Sequence, residues 1–425
     1  MQASTNLRIP EGINYECLGC GVCCGGWAVP LTEVDYQRIS SVNWSEKLDK
    51  FSGLTLFRPL KPYERENTPY TQAMKPGPDD FCPFLVDKLC FIHREKGSEF
   101  KPSMCQLFPY CFNETPSGVY VTVSFVSMAV IYNSGKALSE QTEYLEKKFA
   151  DFCKLYPNHH PNWSKLQLIG GCPLDWDNYL SLEDHLISCL NDKSKPLEDR
   201  LIGGSDHLLQ YLQSKKSATG SDQLNFKTTD PSTALNHTDP PDAMNPMDTS
   251  IALNHLDKSL LLSLHKLYFP AKAQARGEGD FSPFRFFIQS TIGSRKIKVP
   301  GASFTLQELA AFRWPKDDQE MEDILYRYFF SRIFAKLYFG AGFGQLSLIV
   351  GFHHLALLLP LIKLHARALA IARGASQVEL VDLIATIRQL EKRLGDTTIG
   401  PYAAATLELL LFSPRRLKRI LARCT

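Results

Sequence analysis

The sequence predicts an α+β protein in which a small cysteine-rich domain precedes a mostly α-helical C-terminal domain. Three observations predict it. Eight of the twelve cysteines fall between Cys17 and Cys111. A polar stretch rich in Ser, Thr, Asp, Asn and Pro interrupts the chain between about 191 and 257, where too little apolar surface exists to offset the entropy of ordering. From Ser259 onward apolar residues recur at helical spacing, as in Met321, Ile324, Leu325, Tyr328, Phe329 and Ile333. The expected division is therefore a cysteine-cluster domain over 1–190, a flexible polar linker over 191–257 with room for one short helix near 207–212, and an all-helical domain over 258–425.

Within the first segment, Thr32 and Asp35 stand three residues apart, as an N-cap and its partner do, and predict a short helix to Ile39. Alternation over Val119–Val123 predicts a half-buried strand. Leu138, Tyr144, Leu145, Phe149 and Phe152 mark a helix over 136–156. Further helices are expected over 345–373, 377–394, 402–411 and 414–423. The last is basic, with Arg415, Arg416, Lys418, Arg419 and Arg423 expected on a solvated face. Leu346–Ile362 is the one stretch apolar enough to suggest a membrane, but Gly351, His353, His354 and Pro360 interrupt it, so a buried helix is the expected reading.

A chain of 425 residues suits two or three domains at roughly 150 residues each. Its 47 Lys+Arg against 45 Asp+Glu give a net charge of +2, which provides no bulk field for nucleic acid or anionic lipid. The first residues lack the apolar core of a secretory signal, so a cytoplasmic location is expected. In that reducing compartment, twelve cysteines point to metal ligands or redox groups rather than disulfides.

The chemistry concentrates in Cys17-Leu18-Gly19-Cys20-Gly21-Val22-Cys23-Cys24-Gly25-Gly26-Trp27. Two-residue spacings let the chain curl its sulfurs toward one point, and the glycines permit the backbone angles this needs. Cys82, Cys90, Cys105 and Cys111 follow. Thiolates are soft donors suited to zinc, copper(I) or an iron-sulfur cluster. One tetrahedral zinc or one cubane takes four ligands, so eight candidates imply two sites or some non-ligating thiols. The adjacent pair Cys23 and Cys24 should diverge. Cys153, Cys172, Cys189 and Cys424 read as ordinary small apolar residues. His93, three residues after Cys90, could complete a three-cysteine site, whereas His353, His354 and His365 read as core residues. Gly340-Ala341-Gly342-Phe343-Gly344 is read as a hinge between helices or, alternatively, as a cofactor loop.

Cys17-x2-Cys20-x2-Cys23-Cys24, Leu31-Thr32-x2-Asp35, Cys82-x-Phe84-Leu85, Cys90, and Lys101-Pro102-x2-Cys105-x2-Phe108-Pro109 resemble the CxxCxxCC family of zinc- or iron-chelating proteins. Lys101 and Gln106 stand where that family often has arginine. Cys23-Cys24-x-Gly26-Trp27 and the helix Met321–Phe334 are similar to the long form of the family, the flagellin lysine-N-methylases. That resemblance implies an iron-sulfur-dependent methyltransferase moving a methyl group from S-adenosylmethionine to lysines of a flagellin-like protein substrate. The alternative is a non-catalytic module in which the same thiolates hold zinc or iron for structure or trafficking.

Overall fold

The computed structural model describes residues 6–25, 27–61, 68–77, 79–219, 253–270, 296–315, 318–396 and 401–424. The chain divides into two compact units. Among the described residues, the first comprises those up to Pro161 together with 387–396, and the second comprises the others. The boundary thus lies at 161 rather than at 190, and the chain re-enters the first unit late in its course.

The first unit is built from small sheets and short helices. Strands β7 (Tyr110–Thr115) and β8 (Gly118–Val123) form an antiparallel hairpin, and β1 (Leu7–Arg8) joins β8 in parallel. All of Val119–Val123 is buried, not only one face as alternation suggested, because Tyr120 and Thr122 are also covered. Strands β2 (Pro30–Leu31), β3 (Phe57–Pro59) and β4 (Gln72–Met74) form a second antiparallel sheet in the order β2-β4-β3. Strands β5 (Leu85–Val86) and β6 (Leu89–Cys90) form a two-residue hairpin. Its turn residues Asp87 and Lys88 both take positive φ, 52° and 65°, as the twist of a tight hairpin favours.

Helix α1 (Glu33–Ser40) starts on the expected capping box, with Thr32 and Asp35 each accepting from the other's backbone N–H. Helices α2 (Phe91–Lys96), α3 (Ser103–Leu107), α4 (Met128–Ile131) and α5 (Thr142–Leu155) follow. The helix expected over 136–156 opens as a 3-10 turn over Leu138–Gln141 before α5 begins. The core of this unit gathers Val29, Leu31, Ile39, Trp44, Phe51, Met74, Phe84, Phe91 and Ile92. The rings of Trp44 and Phe51 meet Phe84 at 5.0 and 5.2 Å between centroids. Such aromatic contacts add directionality to apolar burial.

The second unit is mostly helical. It holds α6 (Trp176–Asn191), α7 (Leu197–Thr219), α8 (His255–Tyr268), α9 (Leu306–Ala311), α10 (Gln319–Phe334), α11 (Leu348–Ala372), α13 (Pro401–Leu411) and α14 (Pro414–Cys424). Helix α12 (Leu380–Asp396) begins here, and its residues from 387 belong to the first unit. Two hairpins, β9 (Gln167–Ile169) with β10 (Cys172–Pro173) and β11 (Lys296–Val299) with β12 (Ala302–Thr305), correct the all-helical expectation. Helix α7 occupies the first half of the expected linker, because Leu197, Leu201, Leu208 and Leu212 recur at helical spacing and are buried. The rest of that stretch, 220–252, lies outside the described residues.

Helix α11 has the length and composition to cross a membrane, and 83% of its most apolar stretch is buried inside the protein. Two of its histidines, His353 and His354, are hydrogen-bonded core groups. His353 bonds Ser205 Oγ at 2.7 Å and the Leu411 carbonyl at 2.6 Å, and His354 bonds the Tyr268 hydroxyl at 2.6 Å. Burial holds His353 and His354 neutral, pushed down to about 4 and about 3. His365 Nδ1 meets His265 Nε2 at 2.9 Å. The basic helix α14 is less solvated than expected, since Arg416 and Arg419 both pair with the buried carboxylate of Asp257. Lys418 pairs with Asp206. Gly340–Gly342 forms a 3-10 turn in the connection from α10 to α11, in keeping with the hinge reading.

Candidate metal centre

The first cysteine motif is a loop folded tightly onto the β5–β6 hairpin. Gly19 and Gly21 take φ of 61° and 73°, a region costly for residues with a Cβ. A Cβ at Gly21 would lie 3.2 Å from both the Leu85 side chain and the Lys88 backbone, and one at Gly19 would lie 3.0 Å from Leu89. The motif then closes in a 3-10 turn over Val22–Cys24, with Cys24 N–H donating to the Gly21 carbonyl at 3.0 Å. Trp27 Nε1 donates to the Cys23 carbonyl at 2.9 Å and holds the turn from the far side.

A backbone seam joins this loop to the second motif. Gly25 bridges Phe81, and Cys82 N–H donates to the Cys24 carbonyl at 2.9 Å. The close approach needs a glycine, since a Cβ at Gly25 would come 2.6 Å from the Phe81 ring. The hairpin next places Cys90 opposite Leu85, so Cys82 and Cys90 return to the same end of the unit.

Cys105 is brought in by a polar hub. The fully buried carboxylate of Asp35 accepts from Ser103 N–H at 3.1 Å, Ser103 Oγ at 2.9 Å, Thr32 N–H at 3.3 Å and the guanidinium of Arg38. Arg38 also donates to the Lys101 carbonyl at 2.9 Å. The start of α3, which carries Cys105, is therefore tied to α1. Gln106, at the position where arginine was expected, donates its amide to the carbonyls of Glu99 and Lys101 at 3.0 and 2.7 Å. A neutral donor thus steadies the same loop.

Cys82, Cys90 and Cys105 all pack against the aromatic core. Electrostatically, every pair among Cys24, Cys82, Cys90 and Cys105 is a neighbouring pair. Burial first, and then these neighbouring sulfurs, push the thiol of Cys24 up to about 11 and that of Cys82 up to about 12. Cys105 is raised well above the ordinary thiol value for the same reasons. Lys101 opposes the rise at Cys24 and Cys105, and Lys50, whose ammonium donates to the Leu85 carbonyl at 2.7 Å, opposes it at Cys82.

Cys23 diverges from its neighbour Cys24. Its sulfur lies 3.8 Å from the Val126 carbonyl. Burial raises its thiol, while the Met128 N–H, Arg388 and the Ser127 side chain favour the anion. Cys20 is its sulfur neighbour, and Cys17 is exposed. Cys111 stands on β7 opposite Thr122, with its sulfur 3.7 Å from the Pro109 carbonyl. His93 is exposed on α2. Among the described residues, no three His, Cys, Asp or Glu side chains already converge in ligating geometry. The donor chemistry nevertheless fits a soft metal ion, since four thiols share one neighbourhood, and a change of χ1 moves a cysteine sulfur between staggered positions without moving the backbone.

Sequence reading missed the contribution of α12. Arg388 Nε donates to the Val126 carbonyl at 2.9 Å, its Nη2 donates to Val22 at 3.1 Å, and Lys392 donates to Gly25 at 3.2 Å. Spaced i and i+4, these two residues share one helix face, which is legible. Their partners, more than 360 positions away for Val22 and Gly25, are not.

Among known proteins, an uncharacterized protein of Methanocaldococcus jannaschii is 26% identical over 173 residues, which cover 39% of this chain and 56% of that protein. The match spans just over half of the relative's length. No solved structure matches. Residues 16–154, which contain all eight clustered cysteines and the Asp35 hub, match the CxxCxxCC family model, described as a "putative zinc- or iron-chelating domain".

Proposed function

We propose that this protein binds zinc or iron through its clustered thiols, with Cys24, Cys82, Cys90 and Cys105 as the principal ligands. The observation that carries the reading is that these four sulfurs, far apart in sequence, are mutual neighbours, three of them resting on one aromatic core. Four thiolates satisfy a tetrahedral zinc or a cubane cluster. Bound there, the metal would stabilise the unit by crosslinking elements that otherwise bury only a small core. Lys50 and Lys101 offset part of the negative charge that four thiolates bring. Of the eight thiols expected to ligate, Cys17, Cys20, Cys23 and Cys111 lie outside this principal set. The cytosol, which keeps thiols reduced, is the compartment we assign.

Anaerobic purification with metal analysis and a visible spectrum tests the proposal. Stoichiometric zinc in colourless protein supports a structural or trafficking module. Iron with acid-labile sulfide and broad visible absorbance supports an iron-sulfur centre. Protein that binds neither metal, even after reconstitution, refutes the reading.

The finer reading, a methyltransferase using S-adenosylmethionine on flagellin-like lysines, is supported by the resemblance of the opening motif and of α10 to flagellin lysine-N-methylases. Its test is whether lysines of a co-expressed flagellin gain methyl groups. Iron-loaded protein that leaves every lysine unmodified removes this reading and leaves metal binding standing.

A further inference from the structure

We infer that the part of α12 over 387–396 is a clamp on the cysteine loop, in which Arg388 and Lys392 are positioning residues that fix the Val22–Cys24 turn and so slow the loss of a metal ion held by Cys24. The hold on the loop stands on hydrogen bonds alone, and the slowed loss rests on the metal-binding reading above. Both residues lie outside the segment 16–154 that the family model matches.

Every backbone carbonyl from Gly21 to Gly25 accepts a hydrogen bond. Gly21 accepts from Cys24 N–H at 3.0 Å, Val22 from Arg388 Nη2 at 3.1 Å and Cys23 from Trp27 Nε1 at 2.9 Å. Cys24 accepts from Cys82 N–H at 2.9 Å and Gly25 from Lys392 Nζ at 3.2 Å. Two of these donors come from the motif itself, one comes along the seam, and two come from α12. A carbonyl withdrawn from water needs such a partner. The turn that carries Cys24 is therefore not self-contained, since Val22 and Gly25 on either side of it are held by a helix more than 360 positions away.

The same helix face reaches a second loop. Arg388 Nε donates to the Val126 carbonyl at 2.9 Å, the carbonyl that also lies 3.8 Å from the Cys23 sulfur. Glu391 accepts from Ser124 Oγ at 3.4 Å. Positions 388, 391 and 392 stand three and four apart, so their side chains leave one side of the helix together. The planar guanidinium serves Val22 and Val126 at once and ties one loop to the other. A lysine ammonium, a compact charge on a flexible stem, is poorly shaped for that task. Both donors are cationic, which strengthens their hydrogen bonds over neutral ones. They also place positive charge beside the loop that carries Cys24. Four thiolates outweigh the charge of a divalent ion, so the metal-bound state gains from these cations more than the metal-free state does.

The test uses the full chain, metal-free for hydrogen exchange of segments 18–27 and 80–84, and zinc-loaded for transfer of the ion to a chromogenic chelator. Arg388→Met combined with Lys392→Met should speed both the exchange and the zinc loss about tenfold. Lys392→Arg should keep the wild-type rates, and Arg388→Lys should fall between, because one of its two carbonyls loses its donor. Ala385→Gly, at an exposed position of the same helix, weakens α12 but removes no donor to either loop. It should lower the melting temperature and change both rates far less than the double variant does. Exchange over 18–27 that stays at the wild-type rate in the double variant, or that rises as much in Ala385→Gly, overturns the clamp. Faster exchange with unchanged zinc loss overturns the slowed loss alone. A wild-type chain that takes up neither zinc nor iron, beside a double variant that still exchanges faster, overturns the metal-binding reading and leaves the hold on the loop standing.

Discussion

Replacing Asp35 should cost the first unit more than any other single polar change. The carboxylate is fully buried and accepts from two groups of Ser103, from Thr32 N–H and from Arg38. Asp35→Ala leaves those donors facing an apolar methyl. Each buried donor left unmatched costs about 1–3 kcal/mol, and breaking a buried charge pair about 3–5 kcal/mol. The terms share one network, so they do not sum. Arg38, 27% exposed, recovers part of its hydration, which moderates its share. The net expectation is a loss of about 3–5 kcal/mol, with Asp35→Asn losing about half because one acceptor oxygen remains. Denaturant unfolding of the full chain, paired with hydrogen exchange of the 98–112 segment, measures both consequences. The segment should exchange faster in both variants, because Ser103 no longer anchors α3. A loss below about 1 kcal/mol, or unchanged protection of that segment, would refute the assignment of Asp35 as the hub that places Cys105.

Four further outcomes follow from the same geometry. The thiols of Cys24 and Cys82 hold their protons to about 11 and about 12 in the metal-free protein; metal must therefore displace them, and affinity should climb with pH, by up to about 10⁴-fold per unit for four displaced protons, as read by chelator competition between pH 6.5 and 7.5. These folded values lie above the unfolded thiol value of about 8.5, so the metal-free fold should lose stability as pH rises from there toward 11–12, a window resolved by denaturant midpoints. Gly25→Ala should cost about 1–3 kcal/mol by driving a methyl into Phe81, visible as a lower melting temperature; an unchanged value would mean that the Gly25–Phe81 seam is slack. Cys105→Ala should lower metal content, whereas Cys424→Ala should not, and equal content in the two would contradict the placement of the ligands.

Local grammar made much of the fold legible. Thr32 and Asp35 announced α1 because a capping box is a contact between near neighbours, and the helices α10 to α14 followed from apolar period. The register of the thiols was legible only as spacing. The gathering of Cys24 with Cys82 depends on the turn at Val22–Cys24 and on the seam from Cys24 to Cys82, which are tertiary facts. Period also reports burial without naming the partner. It therefore could not assign 387–396 to the first unit, or foresee that Asp257 draws Arg416 and Arg419 inward. The expected linker misled for a related reason, since composition averaged over 191–257 left room for a helix only near 207–212 and concealed its start at Leu197.

The central claim, that separated thiols share an inorganic centre, is tested most directly by counting protons and metal together. Metal-free full-length protein, titrated with zinc in weakly buffered solution, should bind the ion stoichiometrically and release about four protons for the four-thiol set, while the count of thiols reactive toward a thiol reagent falls by the same number. Thiols that stay equally reactive, with no protons released, would contradict it.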